Sequence, residues 1–224
     1  MLTAKLKGRT GNQFFQIASS IGIAVKLGYK FGFDRDETYF VNPLPQKRSG
    51  VFMPLKVPWG YHNLTVPDGI ELDGYMQSEK YFSHCSDMIR HYFKFNFPEV
   101  TMPDNAVAVH IRLGDYKNSS VHPVCSMDYY YRASKQMPKG SKYYIFSDEP
   151  DEARKLFPHF ELIYNDPIKD MYLMTRFKRH IIANSSFSWW GAWLAQSEKA
   201  IAPAKWFGND LDTKDIYPEA WTVI

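Results

Sequence analysis

The sequence predicts an α/β fold built on a parallel sheet, and three observations predict it. From residue 106 onward, apolar runs of strand length alternate with stretches of helix length. The amino-terminal stretch has the same order: a short alternating run, a glycine turn, then a long helix with apolar residues at helical spacing. Between the two, residues 42–67 are rich in proline and lose periodicity, as an irregular or edge region does.

Leu2–Leu6 alternates like a short strand, and Gly8-Arg9-Thr10-Gly11 is a turn. Asn12–Leu27 reads as a helix because Phe14, Ile17, Ile21, Ala24 and Val25 share one face, with Gly28 just past its end. Residues 29–33 form another strand. Glu79–Phe93 is a second helix, and residues 95–104, carrying Pro98 and Pro103, are a crossover. Strands then follow at 106–113, 143–146, 161–164, 180–183 and 199–202, separated by helices at 126–137, 150–156, 168–178 and 187–197. This pattern places a boundary near residue 105, giving a lobe over 1–104, a second over 105–207 and a tail, 208–224, that packs back on them.

Composition narrows the function classes. At 224 residues the chain can bury one large core or two small ones. A net charge of +3, without any Lys/Arg block, argues against a nucleic-acid partner. Aromatic residues reach 17%, which serves both an aromatic core and clefts that stack sugars or bases. Cys85 and Cys125 have neither a disulfide framework nor zinc spacing, so both are expected as free thiols. No apolar signal segment opens the chain, and its best apolar run, residues 17–27, is interrupted by two serines, a glycine and Lys26. A soluble, cytoplasmic protein with no membrane span is expected, at most peripheral to a membrane.

Ligands of open parallel sheets sit beyond the carboxyl ends of the strands. That rule selects Gly8–Gln13, His110–Asp115, Ser147–Asp148 and Asn184–Ser188. In the second of these, Val107, Val109 and Ile111 point one way, so His110 and Arg112 share the other face. Arg112 can then offer a planar fork to a phosphate, or simply pair with Asp115 at the surface. Ser185, Ser186 and Ser188 surround the start of a helix, where hydroxyls and free N–H groups bind anions. One serine acting as an ordinary cap is the alternative. Trp189, Trp190 and Trp193 read as core. The glycine turn lacks the lysine of a P-loop, and Asn12 is equally a helix cap. Asp34-Arg35-Asp36 and Asp210-Leu211-Asp212 have the spacing of a divalent-cation pair, but chance supplies roughly one such pair in a chain of this composition.

Five segments together carry more than any one of them: GRTGNQFFQIA near the start, GYMQSEKYF at 74–82, VAVHIRLGDY at 107–116, IFSDE at 145–149 and HIIANSSFSWWGAWLAQSEKAIAPAKWF at 180–207. In order and spacing, through nearly the whole chain, they resemble the α1,2-fucosyltransferases of glycosyltransferase family 11. The resemblance implies a two-lobed, GT-B-like arrangement of Rossmann-like parallel sheets. Its reduced amino-terminal lobe is acceptor-side, the 105–207 lobe binds the donor nucleotide, and there is no metal or other cofactor. It implies that Arg112 holds the donor β-phosphate and that Asn12, beside Gly11, faces the sugar and leaving oxygen. It assigns His110, Asp115, Ser147, Asp148, Asn184, Ser185, Ser186, Phe187 and Ser188 to the nucleotide sugar, with Asp148 as the acceptor for guanine. The implied reaction is inverting transfer of L-fucose from GDP-fucose to a glycan acceptor, at the 2-hydroxyl of a galactose. A metal-dependent transferase using another nucleotide sugar, or a non-catalytic sugar- or nucleotide-binding module, stays open beside it. The chain departs from the family pattern at Leu113, where a second arginine is usual, and is short around residues 34–72.

Overall fold

The structure is a computed structural model that describes residues 1–35, 38–209 and 211–224. Two units emerge from it: Met1–Asn96 with Asp212–Pro218, and Phe97–Leu211 with Glu219–Ile224.

In the first unit, β1 (Thr3–Ala4) leads through the glycine turn into α1 (Thr10–Leu27). This helix begins two residues earlier than its apolar periodicity indicates. β2 (Met53–Lys56) and β3 (Ile70–Asp73) complete a three-stranded parallel sheet of order β1-β3-β2. β2 lies inside the stretch expected to be irregular or edge. It is an exposed edge strand containing Pro54, so it carries no burial alternation to read. The strand expected at 29–33 is reduced to isolated bridges, Leu2 to Phe31 and Phe33 to Gln46. The helix expected over 79–93 breaks into two 3₁₀ turns, Glu79–Tyr81 and Ser83–Cys85, before α2 (Ser86–Tyr92).

Phe14, Phe40 and Phe93 fill the core of this unit, with ring centroids 4.6 to 5.5 Å apart. Buried polar residues of α1 hold the loops at the strand ends. Gln16 accepts from the Lys7 N–H at 2.9 Å and donates to the Lys7 carbonyl at 3.0 Å. Ser19 donates to the Met76 carbonyl at 3.0 Å. The tail segment Asp212–Pro218 joins this unit, since Trp59 donates to the Asp212 carbonyl and Asp215 takes the Tyr61 N–H and the Lys80 ammonium.

The second unit runs β4 (Ala106–Ile111), a 3₁₀ turn (Gly114–Asn118), α3 (Met127–Lys135), β5 (Lys142–Ser147), α4 (Pro150–Leu156), β6 (Glu161–Ile163), α5 (Pro167–Met174), β7 (Arg179–Ile181), α6 (Ser186–Leu194), β8 (Lys199–Ala202) and β9 (Thr222–Val223). The first strand and the one expected at 180–183 are each two residues shorter at their carboxyl ends. Helix starts follow local chemistry: Ser126 caps α3, Asp166 caps α5, and proline opens α4 and α5. All six strands are parallel, in the order β6-β5-β4-β7-β8-β9. Numbered within the unit this is 3-2-1-4-5-6, the doubly wound Rossmann order. β4 is buried along its whole length, as a central parallel strand covered on both faces must be.

One face packs Val107, Val109, Ile111, Ile145, Ile181 and Ile201 against Tyr129, Tyr130 and Ala133 of α3. On the other side Trp189 and Trp190 are fully buried and Trp193 nearly so, as core rather than surface rings. The unit begins at Phe97, not near residue 105. Phe97 stacks on Tyr172 at 5.1 Å, and Tyr172 and Arg176 donate to the Pro98 and Val100 carbonyls. β9 has no counterpart in the sequence expectation. It pairs with β8 over only two residues, too few to show a period. No described helix is long and apolar enough to cross a membrane.

Candidate functional site

In the second sheet the chain moves outward from β4 through β5 to β6, then returns to place β7 on β4's other side. The loops after β4 and β7 therefore diverge, and the crevice between them is the ligand position of a doubly wound sheet. Arg112 stands at the end of β4, and four residues separate the end of β7 from the start of α6.

The Arg112 side chain is 12% exposed. Its Nη2 donates to Asp115 Oδ1 at 2.6 Å, its Nη1 lies 3.2 Å from Asp148 Oδ2, and its guanidinium carbon sits 5.2 Å from the Tyr116 ring centroid. Its buried Nε has no partner. The two carboxylates differ in kind. Asp115 is 53% exposed, so an incoming anion can replace it. Asp148 is anchored, because its Oδ1 also accepts the Leu113 N–H at 2.9 Å. Gly114 makes that anchoring possible: a Cβ there would lie 2.3 Å from Asp148 Oδ2. Both Asp148 oxygens are thus committed within the loop, which suits a residue that positions Arg112 better than one that reads guanine. Leu113, where the resemblance implies arginine, is 3% exposed and packs into the apolar cluster.

His110 is buried, its ring 5.4 Å from that of Phe187, and its carbonyl accepts from Tyr130. Burial, with Arg112 adding to it, pushes its pKa down to about 3, so it is neutral and a poor general base at neutral pH. Buried His180, held by the Met174 carbonyl and the Ser197 hydroxyl, is likewise pushed down to about 4 by burial. Both would be protonated in the unfolded chain below about pH 6.5. Their stabilisation is therefore complete above that pH and is lost as pH falls toward 4 and 3. Thermal unfolding is expected to show a falling Tm between pH 7 and pH 5, with proton uptake on unfolding. A flat Tm over that interval would contradict the assignment.

At the β7 end, α6 opens at Ser186. Ser185, its N-cap, makes no side-chain capping bond, so the hydroxyl does not compete for the first-turn N–H groups. Two of the expected contact residues are engaged within the fold. The Asn184 amide donates to the Pro123 and Trp206 carbonyls, both at 2.9 Å, so it ties loops together. Ser188 is fully buried, with its hydroxyl donating back to the Ser185 carbonyl at 3.2 Å. Ser147 is buried, and its hydroxyl accepts the Glu149 N–H in the turn that presents Asp148. Tyr116 carries no role that its sequence position alone indicates. It lies under Arg112, stacks on His122 at 5.0 Å and donates to the Asn184 carbonyl, linking the two loops.

In the first unit the N-cap of α1 is Arg9, so Asn12 is not the cap. Its Oδ1 accepts from Gln77 Nε2 at 2.7 Å. Gly11 is buried in the same turn of helix. Gly8 has φ +76, and a Cβ there would meet Asn12 Nδ2 at 2.6 Å. Asp73, at the end of β3, is 3% exposed and bonds Lys7 and Lys56, each at 2.6 Å. Those lysines hold its carboxyl well below the usual range. Asp36 and Asp210, needed for the two Asp-x-Asp pairs, lie outside the described residues. Asp212 bonds the N–H and ammonium of Lys214.

The Glycosyl transferase family 11 model matches residues 69–224, which includes both strand-end loops of the second sheet. The chain belongs to glycosyltransferase family 11. It is 33% identical to an alpha-1,2-colitosyltransferase of Escherichia coli, over 72% of this chain and 65% of that one. It is also 33% identical to the O-antigen biosynthesis glycosyltransferase WbnK of Escherichia coli, over 67% and 60%. The family 11 chain thus spans a little under two thirds of the length of these relatives. Among solved structures it is similar to the fucosyltransferase NodZ from Bradyrhizobium, with a TM-score of 0.48 and 13% identity over 85% of this chain and 91% of NodZ.

Proposed function

We propose that this family 11 chain is an inverting, metal-independent glycosyltransferase that moves L-fucose from GDP-fucose to the 2-hydroxyl of a galactose on a glycan acceptor. The observation that carries the reading is Arg112, held at the switch point of a Rossmann sheet near the N-terminus of α6. As the anomeric C–O bond breaks, positive charge grows on the sugar and negative charge on the nucleoside diphosphate. Arg112, with the β-phosphate in place of Asp115, and the first-turn N–H groups of α6 with Ser185 and Ser186 stabilise that diphosphate. Asn12 contacts the sugar and leaving oxygen, a role that rests on the resemblance of its turn to the family. A loose transition state needs little help from a base, consistent with a neutral, buried His110.

The sugar is the finest part of the proposal. Membership of the family and a relative named as a colitosyltransferase support a deoxysugar, and colitose is fucose without its 3-hydroxyl. Calorimetry with GDP, UDP and ADP tests the base, and GDP-fucose hydrolysis in excess EDTA tests both donor and metal independence. GDP is expected to bind most tightly, and hydrolysis is expected to survive chelation. Tighter UDP binding would overturn the donor. Loss of turnover in EDTA, restored by manganese, would overturn metal independence.

A further inference from the structure

An amide side chain has two ends of opposite polarity, so a residue that must donate to a developing negative charge needs its carbonyl end occupied elsewhere. Asn12 has that arrangement. Its Oδ1 accepts from Gln77 Nε2, and its Nδ2 end lies against Gly8, where no other residue leaves room for it. Gln77 is itself held by a built segment. Met76, 1% exposed, takes a left-handed φ of 49, which a non-glycine residue keeps only where its surroundings impose it. Its carbonyl is fixed by the buried Ser19 hydroxyl and by the Ser78 N–H at 2.9 Å. Gln77 Oε1 is buried without a partner, an unfavourable state that is tolerated while the other end of the amide bonds Asn12.

We infer that Gln77 is a positioning residue that sets the polarity of Asn12, turning its NH₂ toward the leaving oxygen and its carbonyl away. The inference rests on the proposed role of Asn12 in sugar transfer. A carboxylate at position 77 can only accept, so Gln77→Glu sets an acceptor against Asn12 Oδ1 and favours the turned-over amide, with its carbonyl toward the reaction. A residue that only packs would not distinguish these polarities.

The test is steady-state hydrolysis of GDP-fucose at pH 8 by the full chain and its Gln77→Glu, Gln77→Ala and Asn12→Ala variants, each checked for folding by circular dichroism. Gln77→Glu is expected to lower kcat at least about tenfold, several times more than Gln77→Ala, with KM within about threefold of wild type. Combined with Asn12→Ala, Gln77→Glu is expected to add less than about twofold. Wild-type kcat in Gln77→Glu, equal losses in the glutamate and alanine variants, or an undiminished loss on the Asn12→Ala background would each overturn the inference. Should the glutamate variant not fold, a wild-type kcat in Gln77→Ala overturns it alone, whereas a lowered kcat at unchanged KM supports it. Unchanged kcat in Asn12→Ala itself would remove the role proposed for Asn12, a result distinct from any failure at position 77.

Discussion

Arg112→Ala is expected to lose about thirtyfold to a thousandfold in turnover while still unfolding cooperatively near the wild-type temperature. Removing one charge-assisted contact to a developing phosphate charge costs about 2–4 kcal/mol of transition-state stabilisation. The fold has little stake in the side chain. Its partner Asp115 is half exposed, so water reaches the carboxylate, and Asp148 keeps its bond to the Leu113 N–H. The buried Nε has no partner to leave behind. Arg112→Lys should recover only part of the loss, because a point charge cannot bridge two oxygens as a planar fork does. Steady-state rates with a thermal melt on the same samples decide the matter. A folded alanine variant retaining more than half the activity would remove Arg112 from the machinery.

Arg112 was legible because the signals that place it are local. Val107, Val109 and Ile111 define a strand by alternation, and the glycine after it marks where backbone approaches something closely. The alternation of strand and helix from 106 onward was legible for the same reason, and with it the α/β class. What escaped depends on partners distant in sequence. β9 is two residues whose strand character comes from β8. Tyr29–Phe33 has strand composition but finds only bridges. Pro54 disguises an edge strand.

At the site, residue types select strand-end loops but not the direction of each hydrogen bond. Asn184 and Ser188 look like ligands for an anion at a helix start. One instead holds the Pro123 and Trp206 carbonyls, and the other turns back onto its own helix. Gln77 carried no signal by itself, because its meaning lies in a bond to a residue 65 positions away.

Asp148 is where sequence and geometry part most sharply, and its removal is expected to have the second-largest effect. The family resemblance makes it an acceptor for guanine, yet in the fold one oxygen takes the Leu113 N–H and the other faces Arg112 Nη1. Asp148→Ala should therefore free the guanidinium and loosen the loop that carries it. A bond of this charged kind is worth about 1.5–3 kcal/mol, or about ten- to 150-fold in binding or rate. The two roles separate by which ligand suffers. If Asp148 positions Arg112, GDP, UDP and inorganic pyrophosphate all weaken in proportion, since each is held through its phosphates. If it reads guanine, GDP weakens alone and pyrophosphate is untouched. Gly114→Ala gives an independent check, because its Cβ would push Asp148 Oδ2 away from Arg112 while leaving the carboxylate present. It should reproduce the Asp148→Ala loss of pyrophosphate binding in calorimetry. Wild-type pyrophosphate affinity in both variants, with GDP alone weakened in Asp148→Ala, would return Asp148 to the base and leave Arg112 braced by Asp115 and Tyr116.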